Sequence, residues 1–175
     1  LQAGFIRRKG GMRRYSVFVM VLVSVVAVLP AARVMAGVTE RVSVVSDGTQ
    51  GDSSSVSSSI SVDGRFVAFL SGASNLVQGD TNNAYDVFVH DRQTGITERV
   101  SVASDGTQGN SSAGNWGISI SADGRYVAFS SYASNLVPED TNGTCDVFVH
   151  DRWTRVTERV SVASDGTEGN GFSEN

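Results

Sequence analysis

Two seven-residue stretches place carboxylates and amides close enough to share a ligand: Asp80-Thr81-Asn82-Asn83-Ala84-Tyr85-Asp86 and Asp140-Thr141-Asn142-Gly143-Thr144-Cys145-Asp146. Oxygen groups at the first, third and seventh positions are what a calcium loop supplies, so Asp80, Asn82, Asp86, Asp140, Asn142 and Asp146 are the calcium candidates. The same spacing describes an Asx-type turn, in which Asp80 or Asp140 accepts backbone N–H groups. A calcium loop wants a third acid at position five and a glutamate at position twelve. This sequence has neither, so the turn is the stronger reading. Leu76 and Leu136, just upstream, are expected to anchor each loop from beneath.

Other reactive side chains are sorted by repetition. A catalytic site is needed once, whereas an architectural residue recurs in every unit. His90 and His150 both precede Asp-Arg and are read as structural. Arg92 and Arg152, with Asp91 and Asp151, are expected to order the turn after them, and Asp63 and Asp123 to form tight turns. There is no G-x-S-x-G elbow, no Cys-His pairing and no His-x-x-x-His, so no catalytic residue is assigned. Cys145 replaces Tyr85 of the preceding unit and is read as a small buried residue. A specific site would sit where the copies differ. Trp116, beside Asn115, is a candidate to stack on a ligand, with packing against a neighbouring sheet as the alternative. Asp80, Asn82, Asp140 and Asn142 complete the ligand-binding candidates.

The elements that position these residues come from a long repeat. TERVSV[VA]SDGT[QE]G begins at Thr39, Thr97 and Thr157, and residues 61–109 align with 121–169 without a gap, with 36 of 49 positions identical. Such a period marks an array of one supersecondary unit. In the second full copy the strand signals are Gly117–Ser121, Arg125–Ser130, Asp146–His150 and Thr157–Val162. The second and third are apolar on both faces and read as central; the fourth alternates and reads as an edge strand. Asp123-Gly124 predicts a two-residue hairpin turn. Helix signals are absent after the leader, and the linkers are rich in Ser, Gly, Asn and Asp. In an up-and-down meander both long connections of each unit, from about Ser71 to Tyr85 and from about Ser104 to Asn115, leave the same end of the sheet. Loops on a rigid scaffold are where binding concentrates.

Repeated four-stranded meanders build a β-propeller. The run Ser121-Ala122-Asp123-Gly124-Arg125-Tyr126-Val127-Ala128-Phe129, followed by Asp146-Val147-Phe148-Val149-His150-Asp151-Arg152, resembles the WD-like repeat of TolB-type proteins, with Val62 and Ala122 where that family has proline. The resemblance spans residues 57–163 and implies a six-bladed, exported, protein-binding or scaffold module. The expected fold class is all-β, propeller blades in an incomplete ring after an N-terminal signal helix. The expected divisions are 1–36 extension and signal peptide, 37–56 leading outer strand and loop, 57–115 first blade, 116–164 second blade, and 165–175 the start of a third repeat. The leading strand Thr39–Val44 is expected to complete a last blade, and the chain reads as the N-terminal piece of a longer protein.

Charge narrows the partners. Residues 1–36 hold six of the 14 basic residues and no acid, leaving 8 Arg against 18 acids, a net of −10, in the remainder. Such a surface repels phosphate backbones and anionic lipid, so nucleic acid is not an expected partner. Arg13-Arg14, the apolar run Val17–Leu29, Pro30 and Val34-Met35-Ala36 follow signal-peptide grammar, with the start expected at Met12. The run is short of the roughly 20 apolar residues of a membrane span; membrane contact is expected only through an uncleaved leader. The protein is expected to be periplasmic, secreted or at the cell surface. The leading functional expectation is a non-enzymatic module that binds a protein or surface ligand, with no cofactor unless calcium. The alternatives are the propeller part of a prolyl-oligopeptidase- or tricorn-like peptidase, and a calcium-stabilised surface protein.

Overall fold

Alternating and doubly apolar segments of six residues, punctuated by Asp-Gly and Asn-rich runs, leave the chain one economical solution: short antiparallel strands joined in sequence order. The computed structural model describes residues 39–173, apart from the side chains of Asn115 and Trp116. The expected leader and the start at Met12 lie outside the described residues. Among the described residues no helix is long and apolar enough to cross a membrane.

Eight strands form two sheets: β1 Ser55–Ile60, β2 Phe66–Ser71, β3 Asp86–Asp91, β4 Thr97–Arg99, then β5 Ala113–Ile120, β6 Tyr126–Ser131, β7 Asp146–Asp151, β8 Val156–Arg159. Each sheet is an antiparallel meander, in the order β1-β2-β3-β4 and β5-β6-β7-β8. These are two β-propeller blades, called blade 1 and blade 2 below. Their central pairs share one register: Phe69 faces Phe88 in blade 1 and Phe129 faces Phe148 in blade 2.

The sheets pack face to face because their central strands are apolar on both sides. One core joins Ala68, Leu70, Val87, Val89 and Val100 of blade 1 to Ile120, Val127, Phe129 and Phe148 of blade 2. A second cluster, Phe69, Ala73, Leu76 and Phe88, is covered by Val42 of the leading segment. Leu76 and Leu136 are buried beneath their loops. Burial of such side chains stabilises by about 1.5–3 kcal/mol each.

Four local features depart from the sequence expectations. The β1–β2 and β5–β6 turns are four-residue connections, not two-residue ones. Ser61 N–H bonds Phe66 O, and among the central residues only Gly64 has positive φ, +70°. Asp63 stays right-handed because its Oδ1 accepts from Ser61 Oγ at 2.6 Å and from Arg65 N at 3.0 Å. The matching Gly124 sits against the Phe66 ring of blade 1, where a Cβ would overlap it.

The fourth strands are short, ending at Arg99 and Arg159: Val100 and Val160 still donate to Val87 O and Val147 O, but Val87 N and Val147 N turn to Ser101 Oγ and Ser161 Oγ, which ends the ladder. Beyond each of them the chain closes into a small hairpin, not an open loop. Val102 bridges Gln108, Gly106 has φ +87°, and Asp105 Oδ1 caps Thr107 N at 2.9 Å. Val44–Gln50 and Val162–Glu168 form the same hairpin.

Thr39–Val44 is not a strand. Among the described residues it has no β3-type neighbour to pair with, and Arg92 and Thr97 of blade 1 hold it through Glu40 and Val44 O instead.

The two extra residues of the second period lie inside β5. Ala113 faces Ser131 and Ile118 faces Phe129, a wider bulge than the one at Ser57 in β1. Asn115 and Trp116 therefore lie within a strand of blade 2, and the expected boundary at 115/116 falls inside that strand.

Candidate functional site

The long connections meet at one end of the sheets, as the meander requires. Asn82 Nδ2 donates to Gly109 O at 2.9 Å, Gln108 Nε2 donates to Thr81 Oγ1 at 2.7 Å, and Ala113 N donates to Tyr85 O at 2.7 Å. The second blade repeats the pattern, with Asn142 on Gly169 O at 2.9 Å and Ser173 N on Cys145 O at 2.8 Å. Only the later half of each β4–β5-type connection reaches this end; the hairpin before it turns into the outer seam.

The acidic candidates converge around an arginine. Arg99 Nη1 lies 3.1 Å from Asp80 and 3.4 Å from Asp86, and Arg159 Nη1 lies 3.3 Å from Asp140 and 3.6 Å from Asp146. All these carboxylates are almost wholly enclosed. Asp86 also accepts from Ser101 Oγ at 2.5 Å and from Asn82 Nδ2 at 2.9 Å. The Asx turn is made by Asn82, whose Oδ1 accepts Ala84 N at 3.1 Å, and by Asn142, whose Oδ1 accepts Thr144 N at 2.9 Å; Asp80 and Asp140 go to arginine instead.

This donor set does not fit a calcium ion. Each amide turns its N–H groups toward the neighbouring carboxylate and spends its carbonyl on the backbone. The guanidinium already occupies the place of the cation. Burial, and then the neighbouring Asp86, push the Asp80 carboxyl above its ordinary value, and burial with Asp146 does the same to Asp140. The clusters differ in one respect: Glu168 stands where blade 1 has Gln108, bonding Arg159 at 2.7 Å.

The two histidines lie at the seam between consecutive units. Thr157 Oγ1 donates to Val102 O of blade 1 at 2.5 Å, so its lone pair must accept from His150 Nδ1–H at 2.8 Å. A hydroxyl has one proton, so this chain of bonds fixes the tautomer. His90, Thr97 and Val44 repeat it at 2.9 and 2.5 Å. Burial lowers the pKa of both imidazoles, which keeps them neutral at pH 7. The repetition rule thus has a physical counterpart: each histidine orients a threonine that bonds the preceding unit.

The arginines of the Asp-Arg pairs do more than order their own turn. Arg152 donates to Gly124 O of its own blade and reaches Glu98 of blade 1 at 2.6 Å, with its guanidinium 4.4 Å from the Phe66 ring centroid. Arg92 makes the same bridge between Gly64 O and Glu40, at 2.6 and 2.8 Å. The turn itself is ordered by the aspartates. Asp91 accepts Gln93 N and a two-pronged contact from Arg65 at 2.9 and 2.7 Å, and Asp151 does the same with Trp153 N and Arg125. The arginine contact holds both carboxyls well below the usual range. Sequence reasoning missed the partner glutamates and the seam serines Ser46 and Ser104. Their signal was present, since all four recur within the TERVSV[VA]S stretch, but nothing in one strand says that its outward side chains serve the next sheet.

Trp153 is 68% exposed and lies over the Arg125 guanidinium at 4.8 Å. Trp116 and Asn115 have their backbone in β5; their side chains lie outside the described residues. Cys145 is buried where Tyr85 is partly exposed. Arg155, in place of Gly95, keeps the left-handed backbone with φ +61°.

No protein-family model matches the chain, and no curated protein matches it. Among solved structures it is similar to TolB from Acinetobacter baumannii, at 19% identity and a TM-score of 0.40, over 65% of this chain and 22% of that one. It is also similar to a TolB structure from Agrobacterium tumefaciens, at 17% identity and a TM-score of 0.40, over 62% of this chain and 32% of that one. The chain spans less than a third of those proteins.

Proposed function

We propose that this chain is part of an exported β-propeller that acts as a non-enzymatic scaffold, binding a protein or other ligand across the face formed by its long connections. One observation carries the reading. The arginines shared by both units are spent on internal pairs: Arg99 and Arg159 on buried aspartates, Arg92 and Arg152 on the seam, Arg65 and Arg125 on turn aspartates. Five of the 13 differences between 61–109 and 121–169 fall in the 78–85 and 138–145 loops, where Gln78-Gly79 becomes Pro138-Glu139 and Asn83-Ala84-Tyr85 becomes Gly143-Thr144-Cys145, and three more fall in the turn 93–96 and 153–156 at the opposite end. A scaffold whose charged pairs recur while its loops vary is what a binding module requires.

The test is capture on the immobilised full chain, with Asn83→Arg and Glu139→Arg together as the variant, both exposed at that face. Loss of the captured partner in the variant, with Trp153→Arg at the opposite end leaving it unchanged, supports the reading. Turnover of ester or peptide model substrates by the chain overturns it.

A further inference from the structure

Two of the positions that differ between the units compensate each other. The last pairs of the central strands are Ser71 with Asp86 and Ser131 with Asp146. The next positions outward, at the long-connection end, are Gly72 and Tyr85 in blade 1 and Tyr132 and Cys145 in blade 2. The ring follows the second strand in one unit and precedes the third in the other. The exchange is steric. A Cβ on Gly72 would stand 3.3 Å from Cζ of Tyr85, so the Tyr85 ring rests where position 72 has no side chain. In blade 2 the small residue is Cys145, which is wholly buried. A tyrosine thus stands at the same cross-strand site in each unit, although neither sequence position keeps it.

Both rings stay open beside a neighbouring unit. Tyr85 is 38% exposed with blade 2 following it, and Tyr132 is 42% exposed with blade 1 preceding it. The Tyr85 hydroxyl is fixed 2.7 Å from Ser54 Oγ, and the Tyr132 ring lies 6.1 Å from that of Phe172.

The surroundings are acidic. The stretches that form this end, 52–54, 72–86, 109–113, 132–146 and 168–173, hold seven carboxyl groups and no Lys, Arg or His. The arginines that reach them, Arg99 and Arg159, are enclosed. Asp52 and Glu139 are exposed, and Arg159 is outnumbered by Asp140, Asp146 and Glu168. Electron-rich ring faces in a negative field attract cations and repel anions.

Granted that the long-connection face is the one that binds, on which this rests, we propose that it takes a cationic segment of a partner protein, with lysine or arginine side chains seated on Tyr85 and Tyr132. The carboxylates draw the segment in, and the rings hold it.

The experiment is fluorescence-anisotropy titration of the full chain with a labelled dodecapeptide of alternating Lys and Gly, beside its Glu-Gly counterpart, at about 0.15 M salt. Circular dichroism establishes that each variant is folded. Saturable binding of the Lys peptide alone is expected. Tyr85→Leu with Tyr132→Leu keeps apolar bulk and every charge, and should weaken that binding about tenfold, the size of two exposed cation–π contacts. Tyr85→Phe with Tyr132→Phe keeps the rings and should retain the affinity. No binding of the Lys peptide, equal binding of the Glu peptide, or unchanged affinity in the Leu pair overturns the proposal, the last because charge alone then holds the peptide. Partner capture separates this failure from that of the face itself. If Asn83→Arg with Glu139→Arg abolishes capture and the Leu pair does not, the face binds by other means and only the cationic partner is refuted. If the loop variant leaves capture intact, the assignment of the face fails as well.

Discussion

Val100 and Val160 hold the same place in two sheets of nearly one sequence, each donating its N–H to the first valine of the third strand. Val100 is fully buried, and Val160 is 46% exposed. The same contrast separates Glu98, bridged to Arg152, from Glu158, which faces water. Local sequence decides that a meander forms and in what register. The neighbouring unit decides how much of that meander is core. A blade is thus half of an energetic unit, and its outer strand belongs as much to the next sheet as to its own, as in other stacked repeats.

Substitutions at matched positions can break this comparison. The largest effect is expected at the buried arginines. Arg99→Met strands Asp80 and Asp86 without a counter-charge and should cost about 3–5 kcal/mol. Arg159→Met should cost as much, but adding Glu168→Gln should recover part of the loss, because blade 2 carries one carboxylate more. Urea unfolding of the three variants measures this. A recovery of the same size from Gln108→Ala in the Arg99→Met background would show that the extra charge is irrelevant.

Next in size is the valine pair. Val100→Ala removes two buried methyl groups and should cost about 2 kcal/mol, while Val160→Ala should stay within about 0.5 kcal/mol. Equal losses would show that Val160 is as buried in solution as Val100.

Ser130 is a smaller test. It replaces Leu70 in the core, is fully buried, and its Oγ has no hydrogen-bond partner. An unsatisfied buried hydroxyl costs about 1–3 kcal/mol, so Ser130→Ala should stabilise the protein by about 1 kcal/mol. A loss of stability would reveal a partner for that hydroxyl.

The histidines provide the finest comparison. Their folded pKa values lie below the ordinary value, so the unfolded chain binds protons first as pH falls. The stability they supply is complete above pH 6.5 and is lost as pH drops below it. Burial is the main cause at both sites. At His150 the nearby Arg152 and Arg155 lower the pKa further, while Glu98 and Asp151 oppose them; His90 has Gly95 where Arg155 stands. Denaturant midpoints measured between pH 7.5 and 5 should decline, and His150→Gln should flatten the decline more than His90→Gln. A pH-independent midpoint would contradict the buried neutral imidazoles.

Much of this was legible in the sequence. The four-strand order, the central position of the Phe-Val-Ala-Phe strands and the shared end of the long connections follow from alternation and turn residues alone. The Asx turn was legible as a type but not by residue, because Asp80 and Asn82 compete for it and a distant arginine decides. The hairpin at Asp105-Gly106 carried the same signal as the Asp123-Gly124 turn and was hidden by its place in what read as an open connection, from about Ser104 to Asn115. The seam could not be read from one unit, since Glu98 and Arg152 are 54 residues apart and meet only after both sheets exist.

The bulge in β5 has a consequence for how such a chain can change. Two additional residues enter between Ala113 and Ile118, and every later pairing in blade 2 resumes the register of blade 1. The innermost strand therefore behaves as an expansion joint. It can lengthen or shorten a unit, and alter what that strand presents, while the seam contacts keep their spacing. Novelty can accumulate at this position without any neighbouring sheet having to be renegotiated.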